Sequence, residues 1–420
     1  MPNPNTNFKD SFGTDLGNKL ITKEYLMTVY PQIANQLITP ELWVWGYSGF
    51  GQLGNNNSLV NISTPITTIA GGANWKQVSC GYRHTAAIKT DGTLWTWGFS
   101  NSNNKGSVVV VGTLGINDTT TFIRSTPVTT FAGGTNWKQV SCGGNFTAAI
   151  KTDGTLWTWG NNSNGQLGDN TGTNRLTPVT TFAGGTNWKQ VAGGGYSTAA
   201  IKTDGTLWTW GYGAFGQLGD NTTTFIKSTP VTTFAGGTNW KQVSCGQYHT
   251  AAIKTDGTLW GWGEPGGGRL GDNTNLTSKL TPVTTFAGGT NWKQVSGGNN
   301  HTAAIKTDGT LWTWGSNTSA GVLGINSSNA ALNISTPVTT FAGGTNWKQV
   351  ACVSGTINAI KTDGTLWIWG SNNLGQLGDN TIISRSTPVT TFAGGTNWKQ
   401  VSAGPNYTAA IKTSDDLQGI

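Results

Sequence analysis

The sequence predicts an all-β fold: a seven-bladed β-propeller of four-stranded antiparallel blades, its ring closed by pairing of N- and C-terminal strands, behind a short, partly helical N-terminal extension. Three observations predict it. All 21 tryptophans lie in two alternating phrases, LWxWG and NWKQV, each present seven times between Leu42 and Val401. Successive LWxWG phrases stand 52, 62, 51, 52, 52 and 55 residues apart, the length of one small antiparallel sheet. An Asp-Gly hairpin turn recurs six times, at Asp91, Asp153, Asp204, Asp256, Asp308 and Asp363, and its missing seventh copy coincides with an unpaired LWxWG strand at the start of the array.

Taken in chain order, residues 1–40 share nothing with the repeat. Thr22 is positioned to cap a helix over Lys23–Tyr30, and Pro31 ends that helix or begins a second one. Leu26, Tyr30, Ile33 and Leu37 then form an apolar stripe, which either packs on the propeller or attaches it to a larger assembly. Residues 41–420 form the propeller domain. Each unit supplies four short strands, PVTTF, WKQVS, TAAIK and TLWTW, rich in β-branched and aromatic residues and bounded by Gly, Asp, Asn or Pro. Leu42–Gly46 is an LWxWG strand with no hairpin partner before it, whereas Ala409–Thr413 ends the last unit with none after it. Pairing these two strands closes the ring and hides the edges an open array would expose.

Composition supports a large apolar core without covalent staples. Cys80, Cys142, Cys245 and Cys352 all occupy the second position after NWKQV, which Gly193, Gly297 and Ala403 fill elsewhere. A slot that exchanges Cys with Gly and Ala is a small-volume packing site, so buried free thiols are expected rather than disulfides or a metal centre. The chain begins without a basic segment leading into an apolar one and has no run of 18 apolar residues, and it reads as leaderless and soluble. Charged residues make up 10% of the chain, against about 25% in an average domain, a surface like that of extracellular and virion proteins.

The unit GxxHTAAIKTDGTLWTWGxNxxGQLGDN, repeated from Leu42 to about Leu417, resembles the repeat of the regulator of chromosome condensation family. The resemblance implies a seven-bladed β-propeller. Members of that family include a guanine-nucleotide exchange factor that docks on chromatin, multidomain eukaryotic proteins, and a bacterial propeller that inhibits β-lactamase. The chain departs from the exchange factor in having no basic N-terminal tail and no inserted β-hairpin that matches its wedge. Its near-identical repeats resemble those of bacterial or bacteriophage propellers.

Comparison of the repeats with one another divides the loops into two groups. AGGTN and TDGT scarcely change and are expected on one face of the disk. The opposite face carries the variable loops, and the short one holds Tyr82, Arg83 and His84 in blade 1, Asn145 and Phe146 in blade 2, Tyr196 in blade 3, Tyr248 and His249 in blade 4, Asn300 and His301 in blade 5, and Asn406 and Tyr407 in blade 7. Tyr, Asn and His combine rigid aromatic area with adaptable hydrogen bonding, as a recognition surface requires. The long loop after LWxWG carries insertions at Ser102–Gly112 and Thr318–Leu332, and Arg83, Arg124, Arg175, Arg269 and Arg385 all fall in these variable segments. On the invariant side, fourteen lysines stand against six turn aspartates, a surplus of eight that accounts for the net charge of +7. A ring of charge with local Lys/Asp pairing does not form a nucleic-acid groove.

Catalytic chemistry finds little footing. His84, His249 and His301 share one slot that other blades fill with Phe146, Ser197, Thr356 or Tyr407, so no general base or metal triad recurs. AGGTN lacks the Lys-Ser/Thr and following helix of a phosphate-binding loop. The expectation is therefore a non-enzymatic scaffold without cofactor or metal, presenting its variable face to a protein or glycan as a bacteriophage virion or surface accessory protein. The alternative is an intracellular regulator of the chromatin-exchange type that binds a small GTPase or nucleic acid. No membrane partner is expected.

Overall fold

The computed structural model describes residues 39–69, 72–104, 107–109, 111–317, 321–329 and 331–413. The helix expected over Lys23–Tyr30 and the apolar stripe of the extension lie outside the described residues. Blade 1 is built from Trp75–Cys80, His84–Lys89, Leu94–Phe99 and Ile123–Thr129, in that order from the axis outward, and blades 2 to 6 repeat it. Blade 7 draws Trp398–Gly404 and Tyr407–Thr413 from the end of the chain and Pro40–Gly46 and Ile62–Thr67 from its beginning. The predicted closure is thus observed: the first LWxWG strand lies between the last TAAIK strand and an outermost strand.

The core lies in the seams between blades. In the seam of blades 1 and 2, Ala86, Ile88 and Leu94 of one sheet pack on Trp137, Val140, Cys142, Ala149 and Trp159 of the next. Trp137 meets Trp157 and Trp159 of its own blade edge-on, with centroids 6.4 and 6.2 Å apart, a geometry that places the positive ring edge on a negative ring face. The same triad recurs in every blade, and in blade 7 it is assembled from both chain ends, Trp398 meeting Trp43 at 6.2 Å and Trp45 at 6.1 Å.

Polar side chains join the blades where their backbones cannot pair. Each NWKQV glutamine spans to the innermost strand of the next blade, donating to a valine carbonyl and accepting from the same valine's N–H. Gln242 does this to Val295 with both bonds at 2.9 Å, and Gln400 carries the belt across the closing seam to Val78 at 3.1 and 2.9 Å. This two-bond amide bridge satisfies inner-strand backbone groups that would otherwise be left unpaired at an unfavourable site. A second staple comes from the long loop. In GQLG, the glutamine carbonyl accepts from the indole of the following blade, as Gln166 O does from Trp210 Nε1 at 2.9 Å, and also from Thr198 Oγ1 at 2.7 Å. Two residues beyond GQLG, Asn170 N–H donates to Ser228 O on the same neighbour's outermost strand.

Two local expectations are corrected. The outermost strand ends before the phenylalanine of PVTTF: Thr130 is buried just past the strand, and Phe131 turns out to solvent. The insertion at Ser102–Gly112 is not an open loop, since Ser102–Asn104 pairs with Ser107–Val109 as a two-stranded hairpin. The phenylalanine is repeated around the ring at Phe182, Phe234, Phe286, Phe341 and Phe392, with Ile69 in the seventh position.

Candidate binding face

The short variable loops open on the face opposite the TDGT turns, and backbone hydrogen bonds tie those of blades 1 to 5 together beside the axial channel. Tyr82 N–H donates to Gly144 O, Gly144 to Gly194, Gly195 to Gly246 and Gln247 to Gly298. Each donor belongs to the blade before its acceptor, so the loops of blades 1 to 5 are held to one another before any partner arrives. The cysteine slot lines the channel just below, with Cys80, Cys142, Cys245 and Cys352 as free thiols. Burial pushes the Cys80, Cys245 and Cys352 thiols up to about 12, which keeps them protonated and poor as nucleophiles.

The structure divides the sequence-predicted site residues. Arg83 and Asn406 are exposed, while Tyr82, Asn145, Tyr196, Tyr248 and Asn300 are half-buried on the face. His84, Phe146, His249, His301 and Tyr407 are buried and cannot touch a partner, which corrects their assignment as binding residues. Each begins the second strand of its blade, and its side chain keys into a seam. His84 Nε2 lies 2.9 Å from Thr147 Oγ1 of blade 2, and His249 Nε2 2.9 Å from Thr302 Oγ1 of blade 5. Tyr407 spans the closing seam, donating to His84 O at 2.5 Å. Loss of solvation lowers His84 to about 3 and His301 to about 4, so both are neutral near pH 7.

The arginines are also reassigned. Arg124, Arg175 and Arg385 pair with Asp118, Asp169 and Asp379 at 2.9, 2.6 and 3.0 Å, and Lys227 and Lys279 fill the same role toward Asp220 and Asp272. Arg269 is buried, held by Glu264 at 3.1 Å and by Asn299 O at 3.0 Å. Arg83 is exposed, its guanidinium 4.6 Å from the centroid of Phe50.

What remains on the face is an aromatic patch. Tyr196 and Tyr248 stack at 5.7 Å with planes 23° apart, Phe215 meets Tyr248 edge-on at 5.2 Å, and Tyr212 meets Tyr196 at 6.3 Å. Asn164, Tyr196, Tyr212 and Tyr248 surround a cavity of about 180 Å³. Tyr82 reaches toward them from blade 1: a β-carbon on Gly195 would stand 2.7 Å from its hydroxyl. That hydroxyl is shielded from solvent and has no hydrogen-bond partner among the described residues. Burial, followed by the Tyr196 and Tyr248 phenols, raises its pKa. Sequence comparison missed Tyr212, Phe215 and Asn164. Tyr212 occupies the residue directly after LWxWG, where Tyr47, Phe99, Asn161 and Glu264 stand in other blades, so the same repeat-by-repeat comparison would have found it.

On the opposite face the lysines before TDGT are not paired with the turn aspartates. Each lies over two indoles of its own blade, as Lys202 does at 4.7 Å from Trp188 and 4.6 Å from Trp208. The turn aspartates instead accept from the threonine two residues on, Asp204 Oδ1 from both the N–H and the hydroxyl of Thr206, and those bonds hold the carboxyl below its usual range.

Residues 179–419 match the profile of the RCC1-like domain, and residues 41–88, 75–106, 137–166 and 153–201 match profiles of the regulator of chromosome condensation (RCC1) repeat. The chain is 31% identical over 351 residues to the Ultraviolet-B receptor UVR8 of Arabidopsis thaliana, an alignment covering 82% of this chain and 76% of that one. With the mitochondrial RCC1 domain-containing protein RUG3 of Arabidopsis thaliana it shares 32% identity over 248 residues, 58% of this chain and 54% of the relative. The E3 ubiquitin-protein ligase HERC2 of Homo sapiens matches 90% of this chain at 26% identity, and the match spans 8% of that protein. Human WBSCR16 has the same fold, with a TM-score of 0.76 at 23% identity over 89% of this chain and 100% of its own. Yeast RCC1 (Prp20), solved bound to Kap60, gives 0.76 at 20% identity over 91% of both chains. The expected bacteriophage and virion character finds no support among these relatives. The matched profiles, the aligned relatives and the closed ring of seven blades make this chain a member of the regulator of chromosome condensation (RCC1) repeat family.

Proposed function

We propose that this chain is a non-enzymatic propeller that binds a protein partner on its variable face, centred on the tyrosine patch of blades 3 and 4. The observation that carries this reading is the juxtaposition of Asn164, Tyr196, Tyr212 and Tyr248 around a cavity, with the solvent-shielded Tyr82 hydroxyl nearby, on loops of blades 1 to 5 that are tied to one another by backbone hydrogen bonds. Aromatic side chains with polar tips on a rigid support are the residues that dominate protein interfaces. Relatives agree with it: one is a receptor, and yeast RCC1 (Prp20) was crystallised with Kap60 and studied for binding to Gsp1p and histones.

The test places a photo-crosslinking residue at Tyr248 and, as control, at Phe286 on the other face, identifies the captured protein, and repeats binding with purified components. The double substitution Tyr196→Ala and Tyr248→Ala is expected to weaken that binding by at least about thirtyfold, the scale of an interface hot spot, with an unchanged melting temperature. Capture only from Phe286, or undiminished binding by the double variant, overturns the proposal. Binding to a glycan array that these substitutions abolish would reassign the patch to carbohydrate.

A further inference from the structure

The invariant face carries a feature that the variable face cannot explain. Phe131, Phe182, Phe234, Phe286, Phe341 and Phe392 are each 64–67% exposed, and Ile69 completes the ring at 65%. They stand in the loop from an outermost strand to the next innermost strand, beside the TDGT turns: Thr130 N–H bonds Leu94 O at the end of the hairpin turn, and Trp137 N–H bonds Gly92 O within it. Nearer the axis, the first turn-side residue of every innermost strand after its tryptophan is an exposed lysine, from Lys76 to Lys399. The face therefore has an inner ring of seven lysines and an outer ring of large apolar side chains, and with the seven lysines that precede the turns its fourteen lysines exceed the six turn aspartates by eight.

We propose that this face docks on the surface of an anionic phospholipid bilayer. Equivalent positions on seven symmetry-related blades lie in one plane across the axis, so a flat partner meets all seven loops at once, whereas a rod such as a nucleic-acid duplex crosses only a few. A second copy of this chain would bring one cationic face against another, which like charge opposes. An anionic bilayer satisfies both rings: the lysines lie against the negative headgroups, and the phenylalanines enter the boundary between headgroups and acyl chains, where aromatic and apolar side chains partition favourably. None of the described helices is long and apolar enough to span a membrane, and the proposed contact is made by the loops of this face. In the sequence this phenylalanine reads as the last residue of a PVTTF strand, and no membrane partner is expected from it.

The experiment is co-sedimentation of the full chain with vesicles of phosphatidylcholine alone and of phosphatidylcholine mixed with phosphatidylserine. Binding is expected to the mixed vesicles only, and to fall as salt is raised. Replacing four phenylalanines (Phe131→Ser, Phe182→Ser, Phe234→Ser, Phe286→Ser) should lower partitioning by more than about tenfold. Replacing four lysines (Lys138→Gln, Lys189→Gln, Lys241→Gln, Lys293→Gln) should lower it comparably and flatten the salt dependence. The double variant Tyr196→Ala and Tyr248→Ala on the other face should sediment like the wild type, which separates this result from that of the variable face. Failure of the wild type to sediment, or sedimentation unaffected by both sets, overturns the proposal. So does a phenylalanine-dependent dimer by light scattering, or lysine-dependent binding to duplex DNA, in the absence of vesicle binding.

Discussion

A histidine that varies between blades can be as deeply buried as a residue that never changes, and its neighbours explain why. His84 lies flat under Gly81, where an added β-carbon would come within 2.3 Å of the ring. Blade 6 exchanges the volumes: Thr356 takes the histidine's slot and Val353 takes the glycine's. Variation here records alternative ways of filling a seam. The three histidines make this testable through pH. Unfolded, each titrates near 6.5, whereas in the fold burial lowers His84 to about 3 and His301 to about 4, and lowers His249 as well. Below pH 6.5 the unfolded state therefore binds protons that the native state refuses, and stability falls with pH by about 1.4 kcal/mol per unit for each histidine until its folded value is reached. His84→Phe, which installs the side chain that blade 2 carries as Phe146, should remove about one third of the loss between pH 6.5 and 5 in urea unfolding. An unchanged loss would show that His84 titrates normally. The sequence made variation legible but not exposure, because a residue that keys into a seam and one that faces solvent both differ from blade to blade.

At the scale of one element, the GQLG segment reads in sequence as a turn but acts as a clamp on the next blade. Gly168 has φ +68°, and a β-carbon there would lie 2.6 Å from Trp210 Nε1, the indole nitrogen that bonds Gln166 O. Gly184, in the AGGTN loop, has φ +53° and nothing within 4 Å. Gly184→Ala should therefore cost only the left-handed backbone penalty of about 1–2 kcal/mol. Gly168→Ala pays that penalty and must also displace a buried indole, for a further 1–3 kcal/mol or so. Equal urea midpoints for the two variants would deny the clamp. The strands themselves were legible because Trp, Val, Ile and Thr alternate between Gly and Asp-Gly stops. The clamp was hidden because its partners lie about 45 residues apart, as Trp210 does from Gln166, and repetition of each segment does not say that the two touch. The Asp–Arg pairs were within reach, since Asp118 and Arg124, Asp169 and Arg175, and Asp379 and Arg385 share one spacing.

Across the whole molecule, each blade covers the next, so no blade has a complete core until the ring is shut. Shutting it depends on Pro40–Gly46, which supplies Trp43 and Trp45 to Trp398 and lies between two strands of blade 7. The glutamine belt crosses the same seam through Gln400 and Val78, and Tyr407 Oη bonds His84 O there. Removing Met1–Gly46 takes away the fully buried Trp45, worth about 3–5 kcal/mol when lost, together with the half-buried Trp43, and exposes the edge of Tyr407–Thr413. Removing Met1–Thr22 deletes none of the ring's strands. The longer truncation should therefore unfold at a much lower urea concentration than the shorter one. It should also unfold in more than one step, because an open array of nearest-neighbour units frays from its exposed end, whereas a closed ring has no end to fray. Tryptophan fluorescence and circular dichroism recorded together follow both effects. Coincident single transitions at the same midpoint for the two truncations would mean that closure contributes nothing to stability and that each seam stands alone.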